Sequence, residues 1–263
     1  MKVRTVFISD NEWMSHTSTD ASPHDLVVEL RAVTVDFDGH AALRGIDLTV
    51  TRGEIRAVVG ANGSGKSTLL AVTAGLLAPS SGSVRRPDST RIALVSQTSN
   101  DGARLPLTVA DLVAMGRWRE RGPFLPLRRS DRDRIAAAIE TVGLTPLARR
   151  SLGLLSGGQR QRAHIAQALA QDADLLLLDE PMSGLDTASR DAVASALRAV
   201  AREGVAVVAV THDLGELGAV DAVCRLVDGR LSEGAGSSSE PATTADSASP
   251  AVPRGRGPTP RLP

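Results

Sequence analysis

The sequence predicts an α/β fold around a mostly parallel sheet, and three observations predict it. Leu175–Leu178 and Val205–Val210 are continuous apolar runs bounded by polar residues, the pattern of strands buried on both faces. Stretches of helical character separate these runs, as parallel strands require. The short apolar run Ile55–Val59 leads straight into a glycine-rich turn and then a helix-forming stretch, Leu69–Leu77, so a strand passes to a helix across residues 60–68.

In chain order, Leu26–Phe37 and Ala42–Val50 read as β-strands ahead of Ile55–Val59, which makes the opening of the core β-rich. Arg91–Ser96 is a further strand. The segment Leu107–Leu152 differs in character: Ile135, Ala138, Ile139 and Val142 follow the i, i+3, i+4, i+7 spacing of an amphipathic helix. Ser130 and Asp133 are its expected capping box.

The 263 residues suit one sizeable domain with appendages. Lysine plus arginine and aspartate plus glutamate both count 30, so no basic excess points to nucleic acid as the main partner. Cys224 is the only cysteine, which excludes an internal disulfide or cysteine-cluster metal site and suits a small buried residue in a reducing compartment. No apolar stretch approaches the roughly 18 residues of a membrane span, and the first residues lack a secretory signal's apolar core. A cytoplasmic location is therefore expected. Residues 1–24 are polar and aperiodic, with Met14 a second candidate start, and are expected to be disordered. From Ser232 onward a Ser, Ala, Pro and Gly mixture reads as a disordered tail, residues 232–263.

Chemistry concentrates in three places. Gly60, Ala61, Asn62, Gly63, Ser64, Gly65, Lys66, Ser67 and Thr68 fit G-x-x-x-x-G-K-S/T between a strand and a helix, the context that gives this pattern a mechanism. The glycines let backbone N–H groups turn inward around phosphates, and the helix N-terminus favours negative charge. Lys66 is expected to reach the β- and γ-phosphates and Ser67 to ligate Mg²⁺. Asp179 ends an apolar strand, where a carboxylate can hold Mg²⁺ opposite the loop, and Glu180 follows, placed to polarise a water. The bland alternative for this pair is a strand-ending turn before Pro181. Finally, Leu155, Ser156, Gly157, Gly158 and Gln159 lead into a helix and make a second anion site that the phosphate loop does not need.

With these motifs in this order, residues 26–231 resemble the ABC ATPase family, whose LSGGQ signature lies between the two nucleotide motifs. The resemblance implies a P-loop NTPase core of RecA-like type with an antiparallel β-subdomain and an inserted α-helical subdomain carrying the signature. On this sequence that places the ATPase domain at 25–231, with the core at 25–98 and 172–231 and the helical subdomain at 99–171. It implies ATP and Mg²⁺, and a head-to-tail dimer, expected to be a homodimer. In it Ser156, Gly157, Gly158 and Gln159 meet ATP held by the phosphate loop of a second subunit. Gln97 resembles the residue that senses Mg²⁺ and the membrane subunits. Ser183, Gly184, Leu185 and Asp186 resemble the loop that crosses to the partner site, and His212 resembles the switch histidine on the γ-phosphate. Phe37 stands where the family carries an aromatic that stacks on adenine, with a plain core role as its alternative. His16, His24, His40 and His164 read as surface or satisfied core residues.

Residues 93–150, and Leu105–Trp118 within them, resemble ATP-binding subunits of zinc and manganese importers, the AztA group in particular. That resemblance implies import of a divalent metal through integral membrane permease subunits, a peripheral position on the inner face of the cell membrane, and an extracytoplasmic substrate-binding protein. Trp118, Phe124 and Leu125 are candidate docking side chains. The arginines at 117, 119, 121, 128, 129, 132 and 134 read either as a basic surface near the membrane or as a solvated helix face. Selectivity would lie outside this chain, because its histidines are dispersed and no His/Cys/Asp cluster has ligand spacing. Three alternatives stand beside this reading: a siderophore or iron importer ATPase, a soluble ABC ATPase acting on a scaffold, and a small-molecule kinase that would leave the signature unused.

Overall fold

The computed structural model describes residues 25–96, 106–118, 122 and 126–234. Strands β1 (Leu26–Phe37), β2 (His40–Thr51) and β4 (Ser81–Arg85) pair antiparallel in the order β2-β1-β4. The second sheet has the order β5-β6-β7-β3-β8-β9. It comprises β3 (Ile55–Val59), β5 (Ile92–Val95), β6 (Leu175–Asp179), β7 (Ala206–Thr211), β8 (Ala222–Val227) and β9 (Arg230–Gly234). Pairing is parallel from β5 through β8, and β9 returns antiparallel on β8. Parallel neighbours need crossover connections, and helices α1 (Lys66–Thr73) and α5 (Thr187–Arg202) lie within two of them.

The leucines of β6 show why an unbroken apolar run belongs here. Successive side chains of a strand point to opposite faces. Leu175 and Leu177 join a cluster with Leu69 and Val72 of α1 and Leu30 of the antiparallel sheet. Leu176 and Leu178 join the opposite cluster, with Ile165, Val193 and Leu197. All four are 0% exposed, and burying each stabilises the fold by about 1.5–3 kcal/mol. In β7, Val208 and Val210 divide from Val207 and Ala209 in the same way. Cys224 of β8 is a buried core residue, as expected.

Between β5 and β6 lie α2 (Val109–Met115), α3 (Arg129–Thr141) and α4 (Gly157–Leu169). Thr108 caps α2 in a reciprocal box: the Asp111 N–H donates to Thr108 Oγ1 at 3.2 Å, and the Thr108 N–H donates to Asp111 Oδ2 at 2.9 Å. The Thr108 hydroxyl, also hydrogen-bonded to Asp111, holds that carboxyl below its usual range. The start of α3 corrects the expected box at Ser130 and Asp133. Its cap residue is Arg128, whose N–H donates to Asp131 Oδ2 at 2.9 Å, so both expected residues lie inside the first turns. β9 continues to Gly234, past the Ser232 at which a tail was expected, because Ser232 pairs with Arg225 and Glu233 with Cys224. Among the described residues, no helix is long and apolar enough to cross a membrane.

The arginines were expected to form a basic surface or a solvated helix face, and Arg117 does neither. Arg117 is 2% exposed; its Nε pairs with Asp131 at 3.1 Å, and its Nη1 donates to Asp172 at 3.0 Å and to the Ala170 carbonyl at 2.9 Å. Arg134 and Arg91 also pair with Asp172. These guanidiniums join α2 and α3 to the strands β5 and β6. Removing one partner of a buried pair costs about 3–5 kcal/mol, so Arg117→Ala should lower the free energy of unfolding by that much, read from the urea midpoint and slope in equilibrium unfolding.

Candidate active site

Neighbouring parallel strands deliver the site from their carboxyl ends, the edge where open α/β sheets bind ligands. β3 runs into residues 60–65, β6 ends on Asp179, and His212 follows β7. Backbone bonds tie these ends together: the Gly60 N–H donates to the Thr211 carbonyl at 3.4 Å, and the Glu180 N–H to the Val210 carbonyl at 2.9 Å.

The loop fits against β2 and closes over its own lysine. Gly65 has φ +105°, and a Cβ there would sit 2.5 Å from the Ala42 carbonyl oxygen, so this position requires glycine. Lys66 is 7% exposed and folds back, donating to the Gly60 and Ala61 carbonyls at 2.8 and 2.9 Å. A cleft of about 450 Å³ opens beside it, lined by Phe37, Ala42, Asn62, Gly63, Gly65, Lys66, Ser67, Thr68, Asp179 and Glu180. Ligand pockets of small molecules span roughly this size. Ser64 turns the other way; its side chain is buried and its Oγ has no partner, so only its backbone can serve a ligand.

The donor set fits a nucleotide with a hard cation. Lys66 and the N-terminus of α1 supply positive potential. The Ser67 hydroxyl donates to Asp179 Oδ2 at 3.4 Å, placing two oxygen ligands of the kind Mg²⁺ prefers side by side. Among the described residues no group of three or more His, Cys, Asp and Glu could hold a metal ion. Glu180 has φ +47°, a conformation costing on the order of 1–3 kcal/mol for a side-chain-bearing residue. Its Oε1 lies 3.9 Å from Nδ1 of His212. Phe37 is 49% exposed at the cleft, so it is not a core residue.

The signature forms a separate helix start that does not line this cleft. Ser156 caps α4: its Oγ accepts from the Gln159 N–H at 3.3 Å, and Gln159 Oε1 accepts from the Ser156 N–H at 3.1 Å. Gln159 is thus turned back on its own helix. A Cβ on Gly158 would lie 2.5 Å from Ser189 Cβ, and one on Gly157 3.0 Å from Leu185. Asp186 in turn caps α5, accepting from the Ser189 N–H at 2.8 Å, and this bond holds its carboxyl below the usual range. The signature and the loop ending at Asp186 therefore pack as one unit, a contact that the motifs alone did not reveal. None of Ser156, Gly157, Gly158 and Gln159 lines the cleft. Gln97, Phe124 and Leu125 lie outside the described residues; Trp118 is 42% exposed.

Fold and site together define a P-loop NTPase. Within that class, the ABC transporter family profile matches residues 43–183. The chain is 39% identical over 193 residues to the zinc transport system ATP-binding protein TroB of Treponema pallidum (strain Nichols), covering 71% of this chain and 73% of TroB. It is 36% identical to the manganese transport system ATP-binding protein MntB of Bacillus subtilis (strain 168), covering 71% and 77%. Against the hemin import ATP-binding protein HmuV of Nocardia farcinica (strain IFM 10152) it is 42% identical, covering 79% and 76%. Among solved structures, an inward-facing metal-chelate type ABC transporter superposes with a TM-score of 0.72 at 30% identity, covering 80% and 84%. The dimeric bacterial ABC transporter cassette MJ0796 does so with a TM-score of 0.63 at 28% identity, covering 78% and 96%. The chain belongs to the ABC transporter family, as one of its ATP-hydrolysing subunits.

Proposed function

We propose that this chain is the ATPase subunit of an importer for a divalent metal, zinc or manganese, and that its ATP site is completed only by a second copy. The observation that carries the second half is the separation just described: a capped helix N-terminus at Ser156 that takes no part in the cleft at Lys66. A second subunit, docked head to tail, would bring its signature to that cleft. The cassette MJ0796, a dimer, supports this arrangement by likeness.

In this reading Lys66 and the backbone of residues 60–65 hold the phosphates, and Ser67 and Asp179 hold Mg²⁺, with Gln97 as a further ligand. Bound there, Mg²⁺ neutralises developing charge on the transferred phosphoryl group. Glu180 orients the attacking water and accepts its proton; His212, beside it, faces the γ-phosphate. Phe37 stacks on adenine. Stacking of a base on an aromatic side chain is worth about 1–3 kcal/mol, so Phe37→Ala should weaken ATP binding by roughly 5- to 150-fold, measured by competition titration. An unchanged affinity would return Phe37 to a surface role.

Membrane permease subunits would dock on the face carrying Trp118, at the inner side of the membrane, with an extracytoplasmic binding protein supplying the metal. The likeness to TroB and MntB supports metal import, and the likeness to HmuV supports iron or hemin as the second reading. Uptake of zinc, manganese and hemin in cells lacking this chain decides between them. Loss of zinc or manganese uptake is expected, whereas selective loss of hemin uptake would replace the metal.

A further inference from the structure

We infer that the turn joining β8 and β9 braces the phosphate loop from behind, and that Gly229 is a positioning residue for that loop. It rests on nucleotide binding at that loop.

The turn reaches the loop from behind. Asp228 and Gly229 have φ +48° and +74°, the double positive φ of a tight hairpin turn. The Gly229 carbonyl accepts from the Arg44 N–H of β2 at 2.7 Å, and the Gly229 N–H donates to the Ser64 carbonyl at 3.2 Å. One residue thus bonds β2 on one side and the phosphate loop on the other. Its approach is close: a Cβ on Gly229 would lie 2.7 Å from the Ala42 carbonyl oxygen.

The same elements meet the loop twice more. A Cβ on Gly60 would lie 2.4 Å from the Leu226 carbonyl of β8 and 2.5 Å from Ser64 Oγ, and one on Gly65 would strike Ala42. Ser64 is the piece held between them, which accounts for its buried hydroxyl and for its absence from the cleft. Its neighbours Gly63, Gly65 and Lys66 do line the cleft, so the path of the backbone at Ser64 sets where their N–H groups point. Preorganised donors of this kind gain affinity by not having to be ordered on binding.

The comparison that tests this is Gly229→Ala against Gly204→Ala. Gly204 has φ +87° with nothing within 4 Å of an added Cβ, so it carries the backbone strain of a left-handed alanine without touching the loop. We expect Gly229→Ala to weaken ATP binding by about tenfold, read by competition against a fluorescent ATP analogue. Turnover at saturating ATP should fall by no more than about twofold, and Gly204→Ala should stay within about twofold of wild type on both measures. Equal ATP affinity in the two variants would overturn the assignment. Should Gly229→Ala fail to fold, hydrogen exchange at the Gly229 amide of the wild-type protein takes its place. Protection that rises on adding ATP is expected, and rapid exchange in the ATP-bound protein would overturn the proposal. Failure of the wild-type chain to bind ATP would instead refute the nucleotide site itself.

Discussion

Glu180→Gln is expected to keep ATP affinity and to lose turnover by about 10²- to 10⁴-fold, the usual contribution of a general base. The substitution is nearly isosteric, so the φ of +47° and the bond from its N–H to the Val210 carbonyl can both survive. What disappears is the negative charge that accepts a proton from water. The neighbouring Asp179, next to Ser67, is unchanged and keeps the cation-ligand role proposed for it, which is why binding should persist. Single-turnover hydrolysis and equilibrium binding separate the two effects. Turnover within a few-fold of wild type would take Glu180 out of its assigned role.

Lys66→Ala should act on the other side of that division and weaken ATP binding itself. Truncating one partner of a hydrogen-bonded charge pair costs about 2–5 kcal/mol, or roughly 30- to several-thousand-fold in affinity. The free protein should tolerate the change, because Gly60 is half-buried and Ala61 exposed, so water can take the place of the ammonium at their carbonyls. A titration of ATP with the variant, alongside its thermal unfolding, checks both parts. Wild-type affinity would show that the ammonium does not meet the phosphates.

These expectations reach back to residues that were readable from sequence because their signals are local. The leucines of β6 and the glycines and lysine of 60–68 announce themselves within a few positions, and the sheet folds around them as expected. Features that depend on distant partners were not readable. Arg117 looks like one more surface arginine until Asp131 and Asp172 close over it. β4, Ser-Gly-Ser-Val-Arg, is largely exposed and so has no apolar pattern to detect; it is identified only by its pairing with β1. Thr108 and Asp111 have the spacing of a capping box, a local signal that the sequence does carry.

The site divides the same way. The identities of Ser67, Asp179 and Glu180 could be read, but the positive φ of Glu180 could not, since it arises where β6 and β7 are tied at their ends. Gly157 and Gly158 read as room for an anion, yet the space above them is also filled by Leu185 and Ser189. The turn at Asp228 and Gly229 lay almost at the expected end of the domain, with no motif to mark it, and only the fold brings it to the phosphate loop.

In the proposed dimer, the cleft at Lys66 and the helix start at Ser156 act on the same ATP from different subunits. Sedimentation of the Glu180→Gln protein with and without MgATP, beside the Glu180→Gln, Ser156→Arg double variant, tests it most directly. The expected result is a monomer without nucleotide, a dimer with MgATP bound, and no such dimer once Ser156 is replaced by the bulkier arginine. A monomer that remains monomeric when saturated with MgATP, or a dimer indifferent to Ser156→Arg, would contradict it.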